Sequence, residues 1–210
     1  MAESIRRSYR EFVGAVADVL DSLDIEYGIA GSFASSQYGE PRQTLDVDLT
    51  LHLQPADADR FAAAFDTIQM AADAYAIRET YTYTTPLPFG VIDYANGWKA
   101  DCYFLRNTAY DRAAFVRRLE WPFAEAKCGQ VWLYAPEDVI LMKLVYYRMS
   151  QGVSTKHLRD ITTMLTNRRN WGQALDLNYL NQWALQLQVM EYWQKLWDDA
   201  AITGVAGVDR

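Results

Sequence analysis

Histidine and cysteine are scarce in this 210-residue sequence, with 2 of each, and proline is held to 6. The cysteines, Cys102 and Cys128, form no C-x-x-C pair, so neither a zinc knuckle nor a disulfide scaffold is indicated. Both are expected to be small buried thiols. The histidines, His52 and His157, form no H-E-x-x-H, and His52 is expected to be a hydrogen-bonded surface residue. A G-x-x-x-x-G-K-[ST] loop is missing, which excludes a P-loop, and Ser35 and Ser36 belong to no G-x-S-x-G elbow. Apolar runs are as short as Val139–Met142, against the roughly 20 residues that cross a bilayer. No apolar block follows Arg6, Arg7 and Arg10 to act as a signal-peptide core. A cytoplasmic protein with no membrane partner is the expectation.

What is present points to a packed globule: 50% hydrophobic, 14% aromatic and 22% charged residues. The net charge of −7 argues against nonspecific coating of nucleic acid, but it conceals a distribution. Residues 1–111 hold 8 basic and 17 acidic side chains, residues 112–170 hold 10 and 5, and residues 171–210 hold 2 and 5. The basic middle is either a solvated helix surface or an anion-binding region.

Spacings of three and four from Glu3 to Leu23 predict an amphipathic helix. Ile25–Ala30 reads as a short strand ending at Gly31-Ser32, with Ser32 as N-cap of a small-residue helix over Phe33–Tyr38. Leu45–Leu53 alternates strictly, with Asp46, Asp48, Thr50 and His52 on one face and Val47, Leu49, Leu51 and Leu53 on the other. Helical spacing returns over Pro55–Ala72, and the Thr- and Tyr-rich run Tyr75–Thr85 reads as extended. Asn96-Gly97 predicts a hairpin between strands Phe89–Tyr94 and Lys99–Leu105. A helix over Tyr110–Leu119 and a second hairpin over Phe123–Tyr134, turning at Cys128-Gly129-Gln130, follow. From Pro136 the signal is helical only: Val139–Met149, Thr155–Asn167, and one or two helices in Leu175–Trp197, where Trp183, Trp193 and Trp197 are expected in the core. The expected fold class is therefore α/β (α+β): a small mixed sheet in a domain of residues 1–135, followed by a C-terminal helical bundle of residues 136–210 packed on it.

Asp46 and Asp48, two apart on a strand, leave the same face with Cα atoms about 6.5–7 Å apart and repel each other. They form either a solvated polar face or part of a cation site. Asp101, on another alternating strand, reaches the same face if the strands are neighbours. Three carboxylates at one point require a cation, and oxygen ligands select Mg²⁺ or Mn²⁺. The turn at Gly31-Ser32 offers backbone N–H groups and a hydroxyl to a phosphate.

Gly31-Ser32, thirteen residues, Asp46-Val47-Asp48, then Asp101 within Lys99-Ala100-Asp101-Cys102-Tyr103 resembles the signature of the nucleotidyltransferase superfamily of polymerase-β-like fold. Arg42-Gln43-Thr44-Leu45 before the acid pair, Lys143-x4-Arg148, and Lys156-His157-Leu158-Arg159-Asp160 are similar to its AbiEii-like branch of small, often toxin-like enzymes. His157 departs from that pattern, which often has an acid after the lysine. The resemblance covers roughly residues 25–170 and implies transfer of an NMP from an NTP to a hydroxyl or phosphate acceptor. It implies that Asp46, Asp48 and Asp101 bind Mg²⁺, as a pair of ions about 3.5–4 Å apart, and carry catalysis. Gly31, Ser32, Arg42, Thr44, Lys143 and Arg148 would bind the nucleotide, with Lys156 and Asp160 as further candidates. The acceptor stays open among RNA, protein and small molecules, and an antitoxin-like protein partner is implied. The alternative is a catalytically inactive nucleotide-binding or protein-interaction module of the same fold.

Overall fold

A computed structural model describes residues 5–170 and 174–202 and divides the chain into two compact units. The first comprises the described residues up to Ala30 and Thr44–Leu133; the second comprises Gly31–Gln43 and the described residues from Tyr134. The segment Gly31–Gln43 thus joins the helical unit, a grouping absent from the linear division at residue 135.

The first unit is built on a mixed seven-stranded sheet. Its strands are β1 (Tyr27–Ile29), β2 (Asp46–Leu51), β3 (Ala71–Ala72), β4 (Phe89–Asp93), β5 (Trp98–Phe104), β6 (Leu119–Pro122) and β7 (Gln130–Leu133). The order is β3-β4-β5-β2-β1-β7-β6, with β2/β5 and β1/β7 parallel and the other pairs antiparallel. The strict alternation of β2 is what lets one face carry chemistry. Val47, Leu49 and Leu51 are buried together with Ala100 and Cys102 of β5 and Val91 of β4, while Asp46 is exposed. Each such aliphatic side chain contributes about 1.5–3 kcal/mol on burial, so the register is held by the core face.

Helices α1 (Tyr9–Ser22) and α3 (Ala58–Asp66) supply Phe12, Leu20, Phe61 and Phe65 to this core. A capping box at Ser8 and Glu11 starts α1, whose expected beginning at Glu3 lies outside the described residues. Gly14 allows the 123–129 loop to approach α1, since a Cβ there would lie 2.3 Å from Glu125 O.

Two assignments from the sequence are corrected. Tyr75–Thr85 is not extended: Ala74–Thr82 forms α4, because the Asp73 carboxylate accepts from Tyr75 N (2.8 Å) and Ala76 N (3.4 Å). That cap, with Ile77 turned into the core, outweighs the β preference of the Tyr and Thr side chains. The second hairpin starts earlier than expected, at Leu119, and its loop is closed by Phe123 N donating to Gly129 O at 2.8 Å. The preceding helix α5 (Ala109–Val116) is correspondingly shorter. Cys102 is buried as expected, but Cys128 is exposed, with its thiol 3.1 Å from Gln130 O.

The second unit contains α2 (Gly31–Tyr38), α6 (Pro136–Met149), α7 (Lys156–Asn170), α8 (Leu177–Gln186) and α9 (Met190–Ile202). Phe33, Ile140, Leu144, Ile161, Met164, Leu180 and Trp193 form its core. Gly39 permits close packing of the α2 end on α7: a Cβ there would lie 2.5 Å from Thr163 Oγ1. Trp193 donates to Asn181 Oδ1 at 2.9 Å and packs 5.3 Å from the Trp197 ring, which places the tryptophan set in the packing of the last helices. No helix among the described residues is long and apolar enough to cross a membrane.

Candidate active site

In the first unit, the parallel register of β2 and β5 sets Asp46 beside Lys99, Asp48 beside Asp101, and Thr50 beside Tyr103. Partners in register point to the same side of a sheet, so all three acids share one face. Thr44 donates to Asp46 Oδ1 at 2.7 Å, and the Tyr9 hydroxyl donates to Asp46 O at 2.6 Å, which steadies the start of β2. At its other neighbour, Ala30 N donates to Asp48 O at 2.9 Å. Asp101 is 16% exposed, and its Oδ1 is shielded from water and accepts no hydrogen bond. Lys99 Nζ stands 2.5 Å from that oxygen, a contact of charges without hydrogen-bond alignment.

Among the described residues no three acidic, thiol or imidazole side chains converge as a ligand set. The donor chemistry still suits a hard cation. Three carboxylates occupy adjacent register positions, and one buried oxygen there has only a positive charge beside it. Cys102 on the opposite face is no competitor: burial first, then Asp101 and Asp48, push its thiol up and keep it protonated. His52 lies beyond the acids and bonds Glu26 Oε2 at 3.1 Å, as expected of a surface histidine.

In the second unit a separate charge cluster surrounds Asp160, which is 6% exposed. Lys143, 4% exposed, donates to Asp160 Oδ2 at 2.6 Å, and Arg42 Nε donates to Oδ1 at 3.1 Å. Arg42 also bonds the Ser32 hydroxyl, and Ser35 Oγ lies 3.5 Å from Asp160 Oδ2. Burial disfavours the charged form of Asp160, but the bonds from Lys143 and Arg42 outweigh it and hold the carboxyl below its ordinary range. His157 stacks on Tyr146, and its Nδ1 is buried without a partner. Burial, then the nearby Lys143 and Lys156, push its pKa down to about 4, so it is neutral at pH 7.

Ser32 is inside α2, one residue past its start, and Gly31 occupies the left-handed region at φ 59°, which a Gly accepts without strain. The structure thus brings Ser32, Arg42, Lys143 and Asp160 together. It does not bring Arg148 to them: the Arg148 guanidinium donates to Leu187 O at 2.6 Å, at the C-terminal end of α8. Lys156 is exposed at the start of α7.

Sequence reasoning named each member of the Asp160 cluster but not their pairing, which joins residues 118 and 17 positions apart. It assigned Lys99 no role at the acid face. The alternation that places Asp101 also places Lys99 two residues earlier on the same face, so that signal was present.

The mixed seven-stranded sheet and its helices match the fold of solved nucleotidyltransferase structures. Similar solved structures include an antigenic nucleotidyltransferase-like protein from Paracoccidioides brasiliensis, at 20% identity over 75% of each chain with TM-score 0.52. Another is the antibiotic-resistance factor ANT(2'')-Ia, at 13% identity over 93% of this chain and 95% of that one, with TM-score 0.53. A scan of the sequence against models of known families finds no match, and neither does a sequence search of curated proteins.

Proposed function

We propose that the protein is a Mg²⁺-dependent nucleotidyltransferase that moves a nucleoside monophosphate from an NTP to a hydroxyl or phosphate acceptor, with pyrophosphate leaving as the α–β phosphoanhydride bond breaks. The observation that carries this reading is the β2/β5 register, which sets Asp101 beside Asp48 on the face that also bears Asp46. Mg²⁺ or Mn²⁺, when bound, supplies the positive charge that polarises the α-phosphate and lowers the pKa of an attacking hydroxyl. Asp46 and Asp48 would hold it, with Thr44 fixing the rotamer of Asp46. Asp101 completes the ligand set and accepts the proton of the acceptor hydroxyl. Within the second unit, Ser32, the Gly31 backbone N–H, Arg42 and Lys143 are suited to phosphate oxygens, and Asp160 is the positioning residue that orients both cations. Arg148 is outside this assignment because its guanidinium is engaged at Leu187. The reading stops at the reaction and leaves the acceptor open among RNA, protein and small molecules.

The test is incubation of the protein and Mg²⁺ with each labelled NTP and a cell extract, followed by fractionation. Label should enter one acceptor fraction with the native chain and none with Asp46→Asn/Asp48→Asn. Equal labelling by the double variant, or none by the native chain with any NTP, sinks the proposal. The second reading, an inactive nucleotide-binding or protein-interaction module, draws on the Lys99–Asp101 contact, in which the chain supplies its own cation to the acid face. NTP-induced thermal stabilisation that is indifferent to Mg²⁺ would favour it.

A further inference from the structure

We propose that Tyr9 is a positioning residue for the acid face: its hydroxyl takes the place of a strand partner at the main chain of Asp46, and the arm of residues 5–8 holds it there. The inference rests on the reading of that face as a metal site, and every residue it uses is in the first unit.

The need for such a group follows from the ladder. Successive carbonyls of a strand point to opposite sides. Along β2, those of Leu45 and Leu51 accept from Lys99 N at 3.3 Å and Leu105 N at 2.8 Å, on the β5 side, whereas that of Asp48 accepts from Ala30 N at 2.9 Å, on the β1 side. The carbonyl of Asp46, two residues before Asp48, has the same sense as that of Asp48. The pairing of β1 with β2 covers only Leu49–Leu51, so Asp46 lies beyond it. The Tyr9 hydroxyl donates to this carbonyl instead, at 2.6 Å.

Thr44 does not duplicate the bond. Its Oγ1 is 2.7 Å from Asp46 Oδ1 and 3.2 Å from Asp46 O, and a hydroxyl has one proton, which goes to the nearer and charged oxygen. Thr44 therefore serves the carboxylate, and Tyr9 serves the backbone from which the carboxylate projects. Asp46 is exposed, so water in place of Tyr9 would satisfy the oxygen without fixing its direction.

Tyr9 is itself held. Its ring packs edge-on to Trp98 with centroids 5.4 Å apart, and the Trp98 indole donates to Arg7 O at 3.0 Å. The Asn96 side chain accepts from Arg7 N at 3.1 Å and donates to Ile5 O at 2.9 Å, and the Arg7 guanidinium meets the fully buried Asp93 at 3.1 Å. The arm is thus laced to the β4–β5 hairpin, whose second strand carries Asp101. The same hairpin therefore locates Tyr9, and through it Asp46, relative to Asp101.

The test is Tyr9→Phe, which keeps the ring against Trp98 and removes only the hydroxyl. Mn²⁺ is titrated into the full chain without nucleotide, and the free ion is counted by electron paramagnetic resonance. Affinity should fall about three- to tenfold, the scale of one hydrogen bond, with the melting temperature unchanged because water takes over at the exposed carbonyl. In the transfer assay at saturating Mg²⁺, kcat should fall about tenfold or more with KM for the NTP unchanged, as expected of misplaced reacting groups. Tyr75→Phe, which removes the hydroxyl of an exposed residue of α4, should change none of these. Native Mn²⁺ affinity and kcat in Tyr9→Phe, or a lower melting temperature as its only effect, would overturn the assignment of Tyr9 alone. Mn²⁺ binding that is absent from the native chain, or as tight in Asp46→Asn/Asp48→Asn, would overturn the reading of the acid face and this inference with it.

Discussion

The acids of the sheet and the acid of the helical unit have opposite surroundings. Asp46 is exposed and Asp101 has one charge contact, whereas Asp160 is buried and answered by Lys143 and Arg42. A carboxylate in water loses little when it is removed, so it is free to serve chemistry. A carboxylate buried beside an ammonium cannot be removed without upsetting the charge balance of that buried site. The same residue type is thus an exposed group at the edge of β2 in one unit and a buried counter-charge in the other.

Asp46→Asn with Asp48→Asn tests the first half of the contrast most severely. Transfer should fall by at least about a thousandfold, about 4 kcal/mol of barrier, while the urea midpoint holds or rises as like charges are removed. A stability loss above about 2 kcal/mol would make these acids structural and collapse the distinction.

Asp160→Asn should have the opposite signature. Removing the Asp160 charge from beside buried Lys143 and Arg42 should cost about 3–5 kcal/mol in urea denaturation. Lys143→Met should cost less, since Asp160 keeps Arg42. Equal losses in the two variants would mean that Arg42 contributes nothing to holding the carboxylate.

Arg148→Ala separates scaffold from site within the helical unit. Loss of the bond to Leu187 O should lower stability by about 1.5–3 kcal/mol and leave NTP titration curves where they were. Weakened nucleotide binding at unchanged stability would return Arg148 to the phosphates.

The smallest effect is in pH dependence. His157 in the folded chain titrates at about 4, below the ordinary value of 6.5 that the unfolded chain keeps. Between those values the unfolded state takes up a proton that the folded state refuses, so stability is lost as pH falls from about 6.5 to about 4. With the ring partly open to water, the loss attributable to it should be about 1–2 kcal/mol. Asp160, held low, contributes stability that persists in this window and disappears only in stronger acid. His157→Gln should flatten the profile between pH 6.5 and 4; an unchanged slope there assigns it to other groups.

Much of the acid face was legible because a strand has a period of two. Alternation over Leu45–Leu53 and Lys99–Leu105 fixes which side chains share a face before any partner is known. What alternation does not give is which strands are neighbours. The 52 residues between Asp48 and Asp101 could have separated the acids; the parallel β2/β5 pairing placed them side by side. The helix α4 was misread because β-branched and aromatic composition is a weak preference, which one Asp cap and one buried Ile overturned.

Local periodicity and turn chemistry in the sequence therefore determined most of the elements, though not α4, and the polar and apolar faces of β2 and β5, and with them the candidate site residues. They did so because both act over a few residues. The tertiary structure alone decided that Asp48 meets Asp101, that Asp160 is answered by Lys143 and Arg42, and that Arg148 binds the end of α8. Each of these depends on burial and on contacts between distant segments, and the strength of a charge is set by that environment and not by the residue that carries it.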